Sequence, residues 1–261
     1  MAVLCGSEGW ESVEAWGCGN LDWLETFLEL PHGIPSHDTF DRVFSLLNPL
    51  AFEQCFNTWT KALTGNPAGL FVAVDGKTLR RRWKHPWSKT PVHMVSAFVT
   101  KNQLVLGQLA TDAKNNEITA IPKLLEMLDL AGATVTIDAM GCQREIAKQI
   151  IAQKAHYILA VKENQRALHQ KVKTLLDEAI LSGFAGLRHG YHQTRDEGHG
   201  RIETRKVWVT DEVNWLGEDL LEARPGLGCV VVVESTRQDL GDLTSGSFGT
   251  MERRYFISSH K

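Results

Sequence analysis

TVTIDAMGCQREIAKQIIAQKAHYILAVKEN, residues 134–164, changes periodicity three times in thirty residues. "TVTID", 134–138, and "HYILAV", 156–161, are short apolar, β-branched runs of strand length. Between them Ile146, Ile150 and Ile151 fall on one face of a helix over 143–154, and a further helix runs from Asn164 to about Leu181, ahead of Gly183. Strand, helix, strand, helix is an α/β order.

Working outward, the same alternation extends upstream. Strands are predicted at about 70–75, 92–99 and 104–110, followed by a helix near 120–130 that Pro122 would open, where a missing N–H costs nothing. Three strands in a meander followed by helix–strand–helix–strand imply a mixed sheet flanked by helices. Downstream, "GLRHGYHQT", "RIETRKVWVT", "GCVVVVES" and "RRYFISS" read as strands of a β-rich insertion or appendage. The first 65 residues are helical in pattern. Leu21, Leu24 and Leu28, then Phe40, Val43, Phe44 and Leu47, then Phe52, Phe56 and Trp59 recur at helical spacing, with Ser36 or Asp38 as a cap and Pro49 as a boundary. The turn-rich "TGNPAG", 64–69, separates this module from the rest. The expected organisation is a helical module at 1–65, a core at 66–185 and the β-rich part at 186–261.

Composition excludes several classes. With 43% hydrophobic residues the chain is not disordered, and no apolar run approaches the ~18–20 residues of a membrane span. The start "MAVLCGSEGW" lacks the basic flank and long apolar core of a secretory signal, so a cytoplasmic protein is expected. Five scattered cysteines without a C-x-x-C pair indicate neither a disulfide framework nor a zinc knuckle. A net charge of −3 gives no global sign of a nucleic-acid partner, but local basic segments can be masked by acids elsewhere.

Two carboxylates stand out by position. Asp75 is expected to end the strand "LFVAVD" and Asp138 ends "TVTID", each with a glycine close behind, Gly76 and Gly141. Ligands bind at the carboxyl ends of strands in open α/β sheets, and two neighbouring carboxylates there suit Mg²⁺ or Mn²⁺. Asp-Gly is equally a turn, and a strand-end Asp is equally a helix cap. An acid–base pair of a glycosidase is a third use, which requires carboxyl groups about 5–9.5 Å apart.

Other motifs lose to simpler readings. "DGKT" resembles the end of a phosphate loop, but Phe71 stands where that loop needs its first glycine. "GSFG", 246–249, has no strand before it and no helix after it and reads as a turn. Cys142 follows a strand and could be a thiol activated by a helix start, but no base is paired with it, and a buried small residue is the better reading.

Longer stretches carry more specific information. "EGWESVEAWG", "GIPSHDTFDRVFSLLNP", "VAVDGKTLR", "NEITAIPKLLEMLDLAGATVTIDAMGCQ", "YILAVKENQ", "GHGRIETRKVWV" and "RYFISS" together resemble the H-repeat-associated transposases of bacterial insertion sequences. These are DDE transposases with an RNase H-like core, and the resemblance runs over about 8–259. It implies DNA cleavage and strand transfer at insertion-sequence ends and target, with Mg²⁺ or Mn²⁺. Asp75 and Asp138 match the first two catalytic carboxylates and would be metal ligands. Gly76 and Gly141 would let backbone or DNA come close.

The segment 77–89, "KTLRRRWKHPWSK", supplies Lys77, Arg80, Arg81, Arg82 and Lys84 as phosphate contacts, with Trp83 and Trp87 for stacking. "VKENQ" adds Lys162, Asn164 and Gln165 at another strand-to-helix junction, where Asn164 is also a natural cap. His199, Arg201 and Arg205 touch DNA or sit in a surface strand with cross-strand ion pairs. The family's third carboxylate is a glutamate on a helix after the strand matching "RYFISS", which the resemblance implies is the last core strand. The sequence stops at Lys261 before that helix and enters the family pattern late, so the chain is expected to be truncated at both ends. That expectation leaves two functions: a transposase completed by another acid or chain, or a DNA-binding remnant without catalysis. A homodimer fits either, association with the nucleoid follows DNA binding, and no membrane partner is expected.

Overall fold

The structure, a computed structural model, describes residues 1–79, 92–101, 104–111, 117–198, 200–239 and 250–261. It falls into two compact units, Met1–Trp59 and Thr60–Lys261.

The first unit is helical: α1 (Trp10–Gly19), α2 (Leu21–Leu24), α3 (His37–Leu46) and the start of α4 (Pro49–Thr64), which runs across the division. Aromatic packing joins α1 to α3. The Trp10 ring stacks on Phe40 and tilts against Phe44, and its Nε1 donates to Asp41 at 3.0 Å. Glu14 accepts from the His37 backbone and meets the His37 ring, which holds Glu14 below and His37 above the usual range. Ser36 is the N-cap residue of α3, in extended conformation, and of the two places open to Pro49, the end of one helix or the start of the next, it takes the second and opens α4.

The second unit is built on a nine-stranded sheet among the described residues: β1 (Phe71–Leu79), β2 (Val92–Val99), β3 (Leu104–Thr111), β4 (Thr134–Ile137), β5 (His156–Val161), β6 (Gly190–Gly198), β7 (Arg201–Thr210), β8 (Cys229–Asp239) and β9 (Thr250–Ser258). The spatial order is β3-β2-β1-β4-β5-β9-β8-β7-β6. β1, β4 and β5 are mutually parallel in that sequence and all other neighbours are antiparallel. A meander of three strands followed by two parallel strands reached through helices is the RNase H-like arrangement. The β-rich part does not form a separate layer: β6, β7 and β8 continue the same sheet beyond β9.

Among the described residues, four α-helices accompany this sheet: α5 (Glu117–Glu126), α6 (Arg144–Ala152), α7 (Arg166–Leu181) and the short α8 (Glu218–Glu222). Register explains which face they cover. Val72 is level with Val135 and Tyr157, Val74 with Ile137 and Leu159, and Ile257 with Leu159 and Val230. All are buried and, with period-two alternation, all point to one side. Leu124 and Leu125 of α5, Ile146 and Ile150 of α6, and Leu168, Val172 and Leu176 of α7 join them in one core. Gln149 of α6 and Gln153, the residue that caps its C-terminus, donate to the carbonyls of Pro122 and Leu125, tying α6 to α5. The opposite alternates, including Ala73, Thr136, Ile158 and Ala160, are only half-buried.

Pro122 does not open its helix. α5 begins at Glu117 and Pro122 lies inside it. The proline forfeits one intrahelical bond, and the burial of Ile121, Leu124 and Leu125 outweighs that loss.

Asp177 pins α7 to β9, accepting from Lys173, from Tyr255 Oη at 2.7 Å and from Arg253 Nη1 at 3.0 Å. Burial alone would raise its pKa, but these three donors outweigh burial and hold the carboxyl below its usual range. A depressed folded pKa adds stability above the unfolded value of about 3.9 and loses it as pH falls through the folded value. In thermal melts, Asp177→Asn is therefore expected to be less stable than wild type at neutral pH, with the gap closing as pH drops below about 4.

Candidate functional site

β1 and β4 run side by side in parallel, with Val74 level with Ile137. Asp75 and Asp138 are the next residues on each, and Asp138 is still extended. Both carboxylates thus leave the sheet at one level and on one face, from backbones about 4.8 Å apart. They oppose the buried face of Val74 and Ile137, and both are exposed.

Asp75 does not end its strand as expected. β1 continues to Leu79 paired with β2, Asp75 lying opposite Ser96. What ends at that level is the parallel partner: β4 stops at Ile137, so Asp75 marks the point where β1 passes beyond β4. Asp138 also serves as a cap. Its Oδ1 accepts from Met140 N at 3.0 Å and closes a single 3₁₀ turn, Ala139–Gly141.

The two glycines make room for side chains on the helix side. A Cβ at Gly76 would fall 2.5 Å from the carboxyl carbon of Glu117, and one at Gly141 would fall 2.2 Å from Ile137 Cγ2. Close approach is therefore by the protein itself. Glu117, buried at the start of α5, escaped sequence reasoning, although a glycine inside a strand is the signal of such an approach. Gly76→Ala is expected to push the Glu117 carboxyl out of place and to cost about 1–3 kcal/mol, read as a lowered denaturation midpoint.

Asp138 borders a cleft of about 540 Å³ whose walls include Lys162, Glu163, His169, Glu252 and Arg254. Glu252 is held by Arg254 through two hydrogen bonds, at 3.0 and 2.9 Å, and these keep its carboxyl below the usual range. Among the described residues, no group of three or more His, Cys, Asp or Glu side chains is gathered to hold a metal ion.

The basic residues divide. Lys77 lies on β1, exposed and two residues beyond Asp75 on the same face, and Lys162 follows β5 and is exposed. Arg80, Arg81, Arg82 and Lys84 lie outside the described residues, as does His199. Asn164 and Gln165 direct their amides inward: Asn164 Nδ2 donates to Ala139 O at 2.6 Å, and Gln165 Nε2 donates to Gln143 Oε1 at 3.3 Å. Arg201 is exposed on β7, and Arg205 pairs with Glu203 along its own strand and with Asp196 across the β6–β7 ladder. Cys142 is fully buried, and burial pushes its thiol up to about 11 even though Arg224 lies nearby, so it is an inert core residue.

Comparison with known proteins places this geometry in a family. The family described as "Transposase DDE domain" matches residues 66–237, and "DDE_Tnp_1-associated" matches residues 1–60. Over 99% of its length the chain is 42% identical to "Uncharacterized protein in dhlA 3'region" of Xanthobacter autotrophicus, of which it covers 84%. It is 40% identical to "Putative transposase YncI" of Escherichia coli O157:H7 and 38% identical to "H repeat-associated putative transposase YhhI" of Escherichia coli K12, again over 99% of the chain. The chain spans 64% and 67% of the lengths of those two relatives. No helix among the described residues is long and apolar enough to cross a membrane. With two thirds of its residues matching the DDE domain on an RNase H-like sheet, the chain belongs to the DDE transposases, among the H-repeat-associated group.

Proposed function

We propose that this protein acts on DNA as a DDE transposase does, cleaving a phosphodiester and transferring a strand, with Asp75 and Asp138 as catalytic carboxylates. The reading rests on one observation, the parallel register that sets the two residues level on one exposed face. Their oxygens would hold Mg²⁺ or Mn²⁺, ions that favour hard carboxylate and water ligands. When bound, such ions activate a water or 3′-hydroxyl and stabilise the leaving oxygen. The chain's own contribution is rigidity: Asp75 stands on a central strand and Asp138 directly follows one, and the reverse face of both strands is packed.

Charge supports DNA on the second unit. Of the 28 Lys and Arg residues only Arg42 falls within residues 1–59, which carry nine Asp and Glu. Lys77 and Lys162 flank the aspartates, and Arg80, Arg81, Arg82 and Lys84 follow in sequence as phosphate contacts. Replacing Arg80, Arg81 and Arg82 together by alanine is expected to weaken binding of unrelated duplexes alike. It should reduce the slope of log K against log salt by up to about 2.7, roughly 0.9 per lost phosphate contact. An unchanged slope in a gel-shift titration would remove this segment from the interface.

The two-hydrogen-bond pairing of Glu252 with Arg254 favours a second reading. Completing a metal site with this acid would mean breaking that pair, and left in the pair it fits a chain that binds DNA without cutting it. Incubating the protein and Asp138→Asn with a labelled duplex in Mg²⁺ and in Mn²⁺ decides between the two. Nicking by wild type alone supports the enzyme, and retarded DNA without nicking in either supports the binding protein.

A further inference from the structure

We infer that Gln143, Gln165 and Arg224 form a directional hydrogen-bond relay that fixes the turn carrying Asp138, with Asn164 as an independent brace. All four are positioning residues, and the inference rests on the reading of Asp138 given above.

The relay begins at Arg224, which is 1% exposed. Burying a guanidinium is costly unless it is paired, yet its Nη1 has no hydrogen-bond partner among the described residues, and the partner of its Nη2 is a neutral amide. Its Nη2 donates to Gln165 Oε1 at 2.9 Å. Gln165 Nε2 then donates to Gln143 Oε1 at 3.3 Å, and Gln143 Nε2 donates to the Met140 carbonyl at 3.2 Å. Met140 is the centre of the turn whose N–H is held by Asp138 Oδ1.

The chemistry of the two ends sets the direction. Arg only donates and a carbonyl only accepts, so the two amides between them have a single orientation that satisfies all three bonds. Turning either amide over would put oxygen against oxygen or nitrogen against nitrogen. A buried donor without a counter-charge is what such a relay needs at its head, since a carboxylate beside Arg224 would compete for its donors. Asn164 acts from the other side: its Nδ2 donates to the Ala139 carbonyl at 2.6 Å. Successive carbonyls of the turn, at 139 and 140, are thereby held from residues on and just after the β5–α7 junction and from the start of α6. Asp138, whose Oδ1 caps the Met140 N–H, stays exposed on the face it shares with Asp75.

Glutamate at position 165 tests the direction with little change in volume. It still accepts from Arg224 but cannot donate. Gln143 must then turn over to donate to it, which sets Gln143 Oε1 against the Met140 carbonyl and breaks the last bond. Hydrogen exchange of the Met140, Gly141 and Cys142 amides and Mn²⁺ affinity should be measured on the full chain for wild type, Gln165→Glu, Asn164→Ala and Asp138→Asn, with thermal midpoints alongside. In Gln165→Glu, exchange of the turn is expected to rise at least tenfold and the Mn²⁺ Kd at least fivefold, with the midpoint at or above wild type because Arg224 gains a counter-charge. Asn164→Ala should also loosen the turn. Wild-type exchange in Gln165→Glu, whatever Asn164→Ala does, or exchange that rises evenly across β1, β4 and β5, overturns the relay. Equal Mn²⁺ affinity in wild type and Asp138→Asn overturns the metal reading of Asp138 instead, and a loosened turn in Gln165→Glu then still supports the relay as the device that orders it.

Discussion

Asp138→Asn is expected to lower metal-dependent strand cleavage roughly 10³-fold or more, and Asp75→Asn to do the same. A factor of 10³ corresponds to about 4 kcal/mol of transition-state stabilisation. The size follows from what the substitution removes. Asparagine keeps the shape and the ability of its oxygen to cap the Met140 N–H, so the turn survives. It loses the negative charge that a hard divalent cation requires, and with it the anchoring of charge at the phosphodiester. The double variant should be scarcely worse than either single one, because residues that hold ions together act as a unit and their effects do not add. Kinetics on a labelled duplex with Mg²⁺ and with Mn²⁺ measure this. Cleavage that persists in Asp138→Asn would place the chemistry elsewhere.

The second large effect is on stability. Leu159→Ala is expected to cost about 2–5 kcal/mol, since it empties a fully buried site on the central strand β5, level with Ile137 and Ile257. For a unit of this size that is a fall of about 5–15 °C in the thermal midpoint. Ile158→Ala, one residue away on the half-buried face, should cost clearly less, under about 1.5 kcal/mol. The contrast between neighbours is the stronger test. It reports that the core lies on one side of the sheet, the side opposite to Asp75 and Asp138. Equal losses at 158 and 159 would mean that both faces are packed alike.

These two expectations meet in one structural point. A carboxylate site exposed on one face is held rigid by apolar packing on the other. Gly76 and Gly141 mark where that packing comes closest, with Glu117 and Ile137 filling the space that a side chain would take.

The alternation of strands and helices over 134–181 was legible in the sequence because periodicity is local: β4, α6, β5 and α7 form where period two and period 3.6 say they should. Chain order also put Asp75 and Asp138 on or just after separate core strands, although β1 runs past Asp75 to Leu79. Tertiary structure alone decided the rest. β9 lies between β5 and β8, nearly a hundred residues after β5, and no local pattern specifies a strand pairing at that separation. Where β1 stops could not be read either, because a strand runs on for as long as one neighbour pairs with it, and β2 pairs beyond the end of β4. Asn164 and Gln165 read as surface amides at a strand end, yet their hydrogen bonds go to Ala139 and Gln143, with Arg224 arriving from a third segment. A sequence fixes which groups can donate and accept, but their partners are settled only when distant segments are brought within about 3 Å of one another.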